Sequence, residues 1–155
     1  MKEDDFIVSK TDTKGHITYG NKIFIDFSGY KEFELLGQPH SIVRHPDMPK
    51  AVFKLLWEQL QKKEEIFAYV KNLRKDGGFY WVIANVTVSL DDAGNTIGYY
   101  SVGRKPTQNA LDVIIPLYDK LKQVESSGGL NASMDYLTNL LKNKGVSYEE
   151  FILSI

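Results

Sequence analysis

The chain opens with two short runs rich in apolar and β-branched residues, Phe6 to Thr11 and His16 to Tyr19, separated by Asp-Thr-Lys-Gly at 12 to 15. That pattern predicts two strands joined by a glycine turn. From Asn21 the spacing becomes helical, with Ile23, Phe24 and Phe27 ahead of Gly29, and Asn21 stands where a helix cap belongs. Lys31 to Leu36 reads as a second short helical piece ending at Gly37. Pro49 suits a first helical turn, and Val52, Phe53, Leu56, Trp57 and Leu60 then recur along one helix face. After Ile66 the pattern turns extended. IFAYVKNLRK, FYWVIANVTVSL and TIGYYSVGRK are separated by the turns DGG and DDAGN, which predicts three antiparallel strands.

Pro106 ends this extended region. Leu111 to Val124 reads as a helix carrying Pro116 as a kink or restart, and SSGG at 126 to 129 reads as a flexible linker. Met134 to Leu141 and Tyr148 to Ile155 read as two short amphipathic helices. The expected organisation is therefore a core domain at 1–105, an exit helix at 106–125 and a helical appendage at 126–155. Five strands and a group of short helices predict an α+β fold, a five-stranded antiparallel sheet with helices packed on one face. Such a layer encloses a pocket between helices and sheet, where a planar ligand fits.

Composition narrows the function classes. The 155 residues, 43% of them hydrophobic, suffice for one domain and an appendage. A net charge of -1 lacks the basic footprint that binding a nucleic-acid backbone needs. The absence of cysteine excludes disulfides, thiolate nucleophiles and cysteine-ligated metals, and fits a cytoplasmic setting. No apolar run is long enough to span a membrane, so direct membrane insertion is not expected. There is no P-loop, no G-x-S-x-G and no dinucleotide fingerprint, so no enzymatic activity is expected.

The stretch GQPHSIVRHPDMP, residues 37–49, concentrates polar and rigid chemistry. Pro39, Pro46 and Pro49 restrict the backbone and so lower the entropy lost in holding Arg44, His45 and Asp47 in one geometry. Arg44 and Asp47 read equally as a surface ion pair at the following helix. His40 and His45 lack the further ligands of a metal site. In strand register Trp81, Ile83 and Asn85 share a face, and an asparagine on a central strand needs a partner for its amide. Asn72, just before a turn, also suits a local bond to the backbone.

The order of motifs resembles a PAS domain: DTKGHITYGNKIFIDFSGY, ELLGQPH, VKNLRKDGGFYWV and a closing GYYSVGRK, about residues 6 to 105. GQPHSIVRHPDMPKAVFKLLW followed by VKNLRKDGGFYWVIANV more narrowly resembles the PAS domains of bacterial aerotaxis receptors, a sensor family that holds FAD non-covalently. The resemblance implies a redox sensor in which Arg44, His45, Asp47, Asn85, Trp81, Asn72, Asn21 and His40 bind the cofactor. It departs from its flavin-binding relatives at Ile66, where they often carry tryptophan. The same fold also supplies haem-based gas sensors, through a histidine ligand, and cofactor-free interaction adaptors. The chain carries no membrane anchor or signalling hairpin of its own, so the implied partner is a separate membrane-bound chemotaxis transducer of the methyl-accepting type; a homodimer is left open. The expected location is the cytoplasm, at the inner membrane face through that partner.

Overall fold

A computed structural model describes residues 1–155. Strands β1 (Phe6–Thr11), β2 (Ile17–Gly20), β3 (Ile66–Leu73), β4 (Phe79–Leu90) and β5 (Thr96–Arg104) form one sheet in the order β2-β1-β5-β4-β3. Every neighbouring pair is antiparallel. Between β2 and β3 lie α1 (Lys22–Ser28), α2 (Glu32–Leu35), a 3₁₀ turn at His40–Val43 and α3 (Lys50–Gln61). The short helices lie on one sheet face, where Phe24, Leu35 and Val43 are buried against Ile7, Ile17, Tyr80, Val82 and Ala84. This is the α+β arrangement the sequence predicts.

Side chains alternate across a strand, so β4 sends Val82, Ala84 and Val86 toward the short helices and Trp81, Ile83 and Asn85 to the opposite face. That second face is covered as well. Helices α4 (Gln108–Lys144) and α5 (Tyr148–Ser154) pack along β3 and onto Phe67, Tyr69, Trp81 and Ile83. Ala110, Ile114, Tyr118 and Leu121 of α4 are buried there with Leu137, Phe151 and Ile152. Burying both faces makes these strands rich in apolar residues along their whole length.

Two predicted features are corrected. The SSGG stretch is not a flexible linker: Ser126 and Ser127 lie in α4, with hydroxyls donating to the Lys122 and Gln123 carbonyls at 3.0 and 3.3 Å. The break is a single bend at Gly129, with φ 78° and ψ −172°, a conformation open essentially to glycine alone. Burial of Ser133, Leu137, Phe151 and Ile152 beyond the bend outweighs the weak helix preference of Ser and Gly. Pro116 is neither kink nor restart, since backbone angles stay helical through it while the buried face of α4 holds the helix against its neighbours. No helix is long and apolar enough to cross a membrane.

Candidate functional site

Between the sheet and the short helices lies a cavity of about 230 Å³. Its floor is the inner face of β3, β4 and β5, with Val70, Val82, Ala84, Val86 and Gly103. Small side chains on the central strands keep that space open. Its roof is the face of α3 carrying Phe53, Leu56, Trp57 and Leu60. The polar side chains of the lining are those of Ser9, Thr11, Lys14, His40, Ser41, Arg44, Asn72 and Ser101. The buried Thr11 hydroxyl has no hydrogen-bond partner in the protein, so one wall offers an unused polar group to an occupant.

Residues 37–49 frame the cavity because both ends of the stretch are tied by backbone. Gly37 N donates to Ile17 O at 2.8 Å and His40 N to Gly15 O at 2.9 Å, fixing one end to the β1–β2 hairpin. A backbone bridge joins Arg44 to Asn72, and His45 N donates to Lys71 O at 3.3 Å, fixing the other end to β3. Arg44 forms no ion pair; its guanidinium lies 3.7 Å from the centre of the Phe53 ring. The surface-pair reading of Arg44 and Asp47 is thereby set aside. The His40 ring stacks at 20° to Phe24, with centroids 6.0 Å apart, and Nε2 lies 3.0 Å from Ser9 Oγ. Burial, reinforced by the positive charge of Arg44, lowers its pKa to about 4, so it is a neutral ring at neutral pH.

Of the eight residues singled out in the sequence, the structure brings Arg44, His40 and Asn72 together around the cavity. Asn72 is only 6% exposed. The expected placement of the other five is corrected. Asn21 is the cap of α1: its Oδ1 accepts from Phe24 N and Val8 N at 2.9 and 3.1 Å, and its Nδ2 donates to Phe6 O at 2.8 Å. That amide is fully engaged by backbone. His45 and Asp47 lie outside the cavity lining, where Lys71 Nζ lies 2.6 Å from Asp47 Oδ2 and Asp47 N donates to His45 Nδ1 at 3.0 Å. Trp81 and Asn85 do share a face, but it is the face away from the cavity: Trp81 packs on Tyr118, ring centroids 5.9 Å apart, and Asn85 Nδ2 donates to Glu65 at 3.1 Å.

Sequence reasoning missed Lys14, Ser9, Thr11, Ser101 and Trp57. Trp57 is 38% exposed at the cavity and makes a T-shaped contact with Tyr99, ring centroids 5.2 Å apart. Its signal was its share in the α3 face with Phe53, Leu56 and Leu60. Ser9, Thr11 and Ser101 were readable as polar residues at inward positions of β1 and β5. Ile66, at the position of the family tryptophan, packs with Leu56, Leu60 and Tyr99 just beyond the cavity.

With this geometry in place, comparison with known proteins gives a consistent result. A family model described as the PAS fold matches residues 17–102. The aerotaxis receptor of Escherichia coli (strain K12) is 42% identical over 127 residues, 82% of this chain and 25% of that protein. The nitrogen fixation regulatory protein of Klebsiella pneumoniae is 28% identical over 104 residues, 67% of this chain and 21% of that protein. The chain thus spans about a quarter or less of the length of these curated relatives. Among solved structures, the light state of the blue-light photoreceptor Aureochrome1 LOV superposes with a TM-score of 0.63 at 20% identity, covering 74% of this chain and 90% of that one. A light-oxygen-voltage domain with a flavin analogue gives 0.62 at 22% identity, covering 72% and 83%. At these identities the likeness is one of fold.

Proposed function

This chain belongs to the PAS family, and from that premise we propose that it is a redox sensor, not a catalyst, whose cavity holds FAD non-covalently. The single observation that carries the reading is the make-up of the cavity: an apolar slot between sheet and α3 with a set of polar side chains and two cations, Lys14 and Arg44, among its lining residues. The kinship with the aerotaxis receptor and the GQPHSIVRHPDMP motif support it.

The residues present fit the cofactor. A volume of about 230 Å³ is below the roughly 300–1,000 Å³ that encloses a whole drug-sized ligand, so the slot suits the flat ring system while the rest extends through the mouth. Arg44 and Lys14 would face the anionic pyrophosphate. An arginine fork is suited to that group. Asn72, Ser101 and the unpartnered Thr11 hydroxyl would meet the polar ring edge, and neutral His40 would hold Ser9 in place. Trp57 and Phe53 would shield the ring from water. When bound, FAD supplies reversible electron uptake. The protein's part is to sense the accompanying change in charge and hydrogen bonding through those polar side chains.

We further propose that the signal leaves by contact with a membrane-bound chemotaxis transducer, with the chain at the cytoplasmic face of the membrane. The visible spectrum of the purified protein, before and after dithionite, tests the reading. Two flavin bands that bleach on reduction, with FAD released by heat, are expected. A Soret band, or a colourless protein that takes up no FAD on reconstitution, overturns it in favour of a haem sensor or a cofactor-free adaptor.

A further inference from the structure

Helix α3 roofs the cavity, yet its first turn has no cap of its own. Pro49 precedes it without a side-chain acceptor, and no acidic residue occupies the first turn. The opening amides of a helix need partners. Here they find one far along the chain: Lys50 N and Ala51 N donate to the two carboxylate oxygens of Glu125, on α4, at 3.2 and 3.0 Å. A negative charge at a helix N-terminus is favourable in its own right.

The same carboxylate has a third engagement. Ser133 Oγ donates to Glu125 Oε1 at 3.2 Å, and Ser133 is 0% exposed. Ser133 lies beyond the bend at Gly129, at the start of the segment that carries Leu137, Phe151 and Ile152 into the core. One side chain, carried on the first part of α4, therefore holds two separately placed pieces: the start of the cavity roof and the segment after the bend. The apolar contacts around it are non-directional and tolerate sliding. Hydrogen bonds to a carboxylate depend steeply on angle and distance and do not.

We infer that Glu125 is the joint between the cavity and the C-terminal helices, so that a displacement of the α3 start alters the hold on residues 130–155. This goes beyond the proposed ligand and stands whatever the cavity binds. It also gives the C-terminal helices a role the sequence motifs do not assign.

Hydrogen exchange of the full-length chain, read by mass spectrometry, tests it with Glu125→Ala, Glu125→Gln and Ser133→Ala. Ser133→Ala is expected to speed exchange about tenfold within residues 130–155 and, to a smaller extent, in the first turn of α3. Glu125→Ala is expected to speed exchange in both places. Glu125→Gln, which keeps one acceptor oxygen, is expected to fall between parent and Glu125→Ala in both. Circular dichroism of each variant establishes that it is folded, and Glu125→Gln decides the matter if Glu125→Ala is not. Acceleration in only one of the two segments on changing Glu125, or a Ser133→Ala protein indistinguishable from parent, overturns the inference.

Discussion

Arg44 is an exposed residue without an anionic partner, resting on Phe53. An arginine so placed adds little to the fold and is free for a ligand. Arg44→Ala is accordingly expected to weaken FAD binding by a charge-assisted contact of about 1.5–3 kcal/mol, roughly 10- to 150-fold in Kd, with an unchanged unfolding midpoint for the ligand-free protein. Flavin titration by fluorescence quenching measures the first and thermal denaturation the second. His40 makes a different prediction. Its pKa is depressed by burial and then by Arg44, from 6.5 to about 4 in the folded protein. Between those values the unfolded chain takes up a proton that the folded chain refuses. Stability from this group is therefore complete above pH 6.5 and lost as pH falls toward 4. His45 is shifted in the same direction by burial and then by Lys71, so the parent should lose stability over that window and His40→Gln should lose distinctly less. Denaturant midpoints across the window settle it; equal slopes would exclude His40 as the cause. Motif chemistry picked out Arg44 and His40, but it could not separate them from His45 and Asp47. Which way consecutive side chains of an irregular loop point is set by its tethers at Gly37, His40 and Arg44, and those depend on strands 20 to 30 residues away.

At the scale of elements, strand and turn positions were legible because aromatic and β-branched runs bounded by DTKG, DGG and DDAGN leave little choice of boundary. The parity of β4 was legible too, and Trp81, Ile83 and Asn85 do lie together. What parity cannot say is which face meets the cavity. Both faces of β4 are covered here, so hydrophobicity does not mark an inside, and Asn72 rather than Asn85 carries the inward amide. The SSGG linker was misjudged for a related reason. Gly and Ser report local preference only, whereas the segment from 130 onward is fixed by long-range burial of Leu137, Phe151 and Ile152. Gly129 then becomes a specific requirement, because a side chain there would have to adopt a region costing on the order of 1–3 kcal/mol. Gly129→Ala is expected to lower stability by that amount and to raise exchange in residues 130–155. Gly15→Ala, also at positive φ, is expected to leave that segment unchanged. Denaturant unfolding and exchange together check the pair, and a silent Gly129→Ala would mean that the bend can relax.

For the molecule as a whole, residues 130–155 contribute Leu137, Phe151 and Ile152 to a buried cluster shared with the sheet and α3. Removing them uncovers Tyr69, Tyr118, Leu121 and Val52, which sit in one buried cluster with Leu137, Phe151 and Ile152. A chain ending at Gly129 is expected to bind a hydrophobic dye, to self-associate on size exclusion and to unfold at a lower midpoint. A monomer with the parent midpoint would contradict this. The same arrangement sets an order of events at the ribosome. Both sheet faces need covers, but the covers for Tyr69 and Trp81 come after the strands: the strands are all made by Arg104, Tyr118 of α4 follows, and helix α5 begins only after Ser147. At roughly 5–20 residues per second, the 26 residues from 130 to 155 take about 1–5 s to appear, and for that interval the nascent chain carries a finished sheet whose second face has the first part of α4 but not Leu137, Phe151 and Ile152. Collapse of many small domains is far faster than that, so its yield in a cell is governed by what shields that partly covered face from other nascent chains until residue 155 is made.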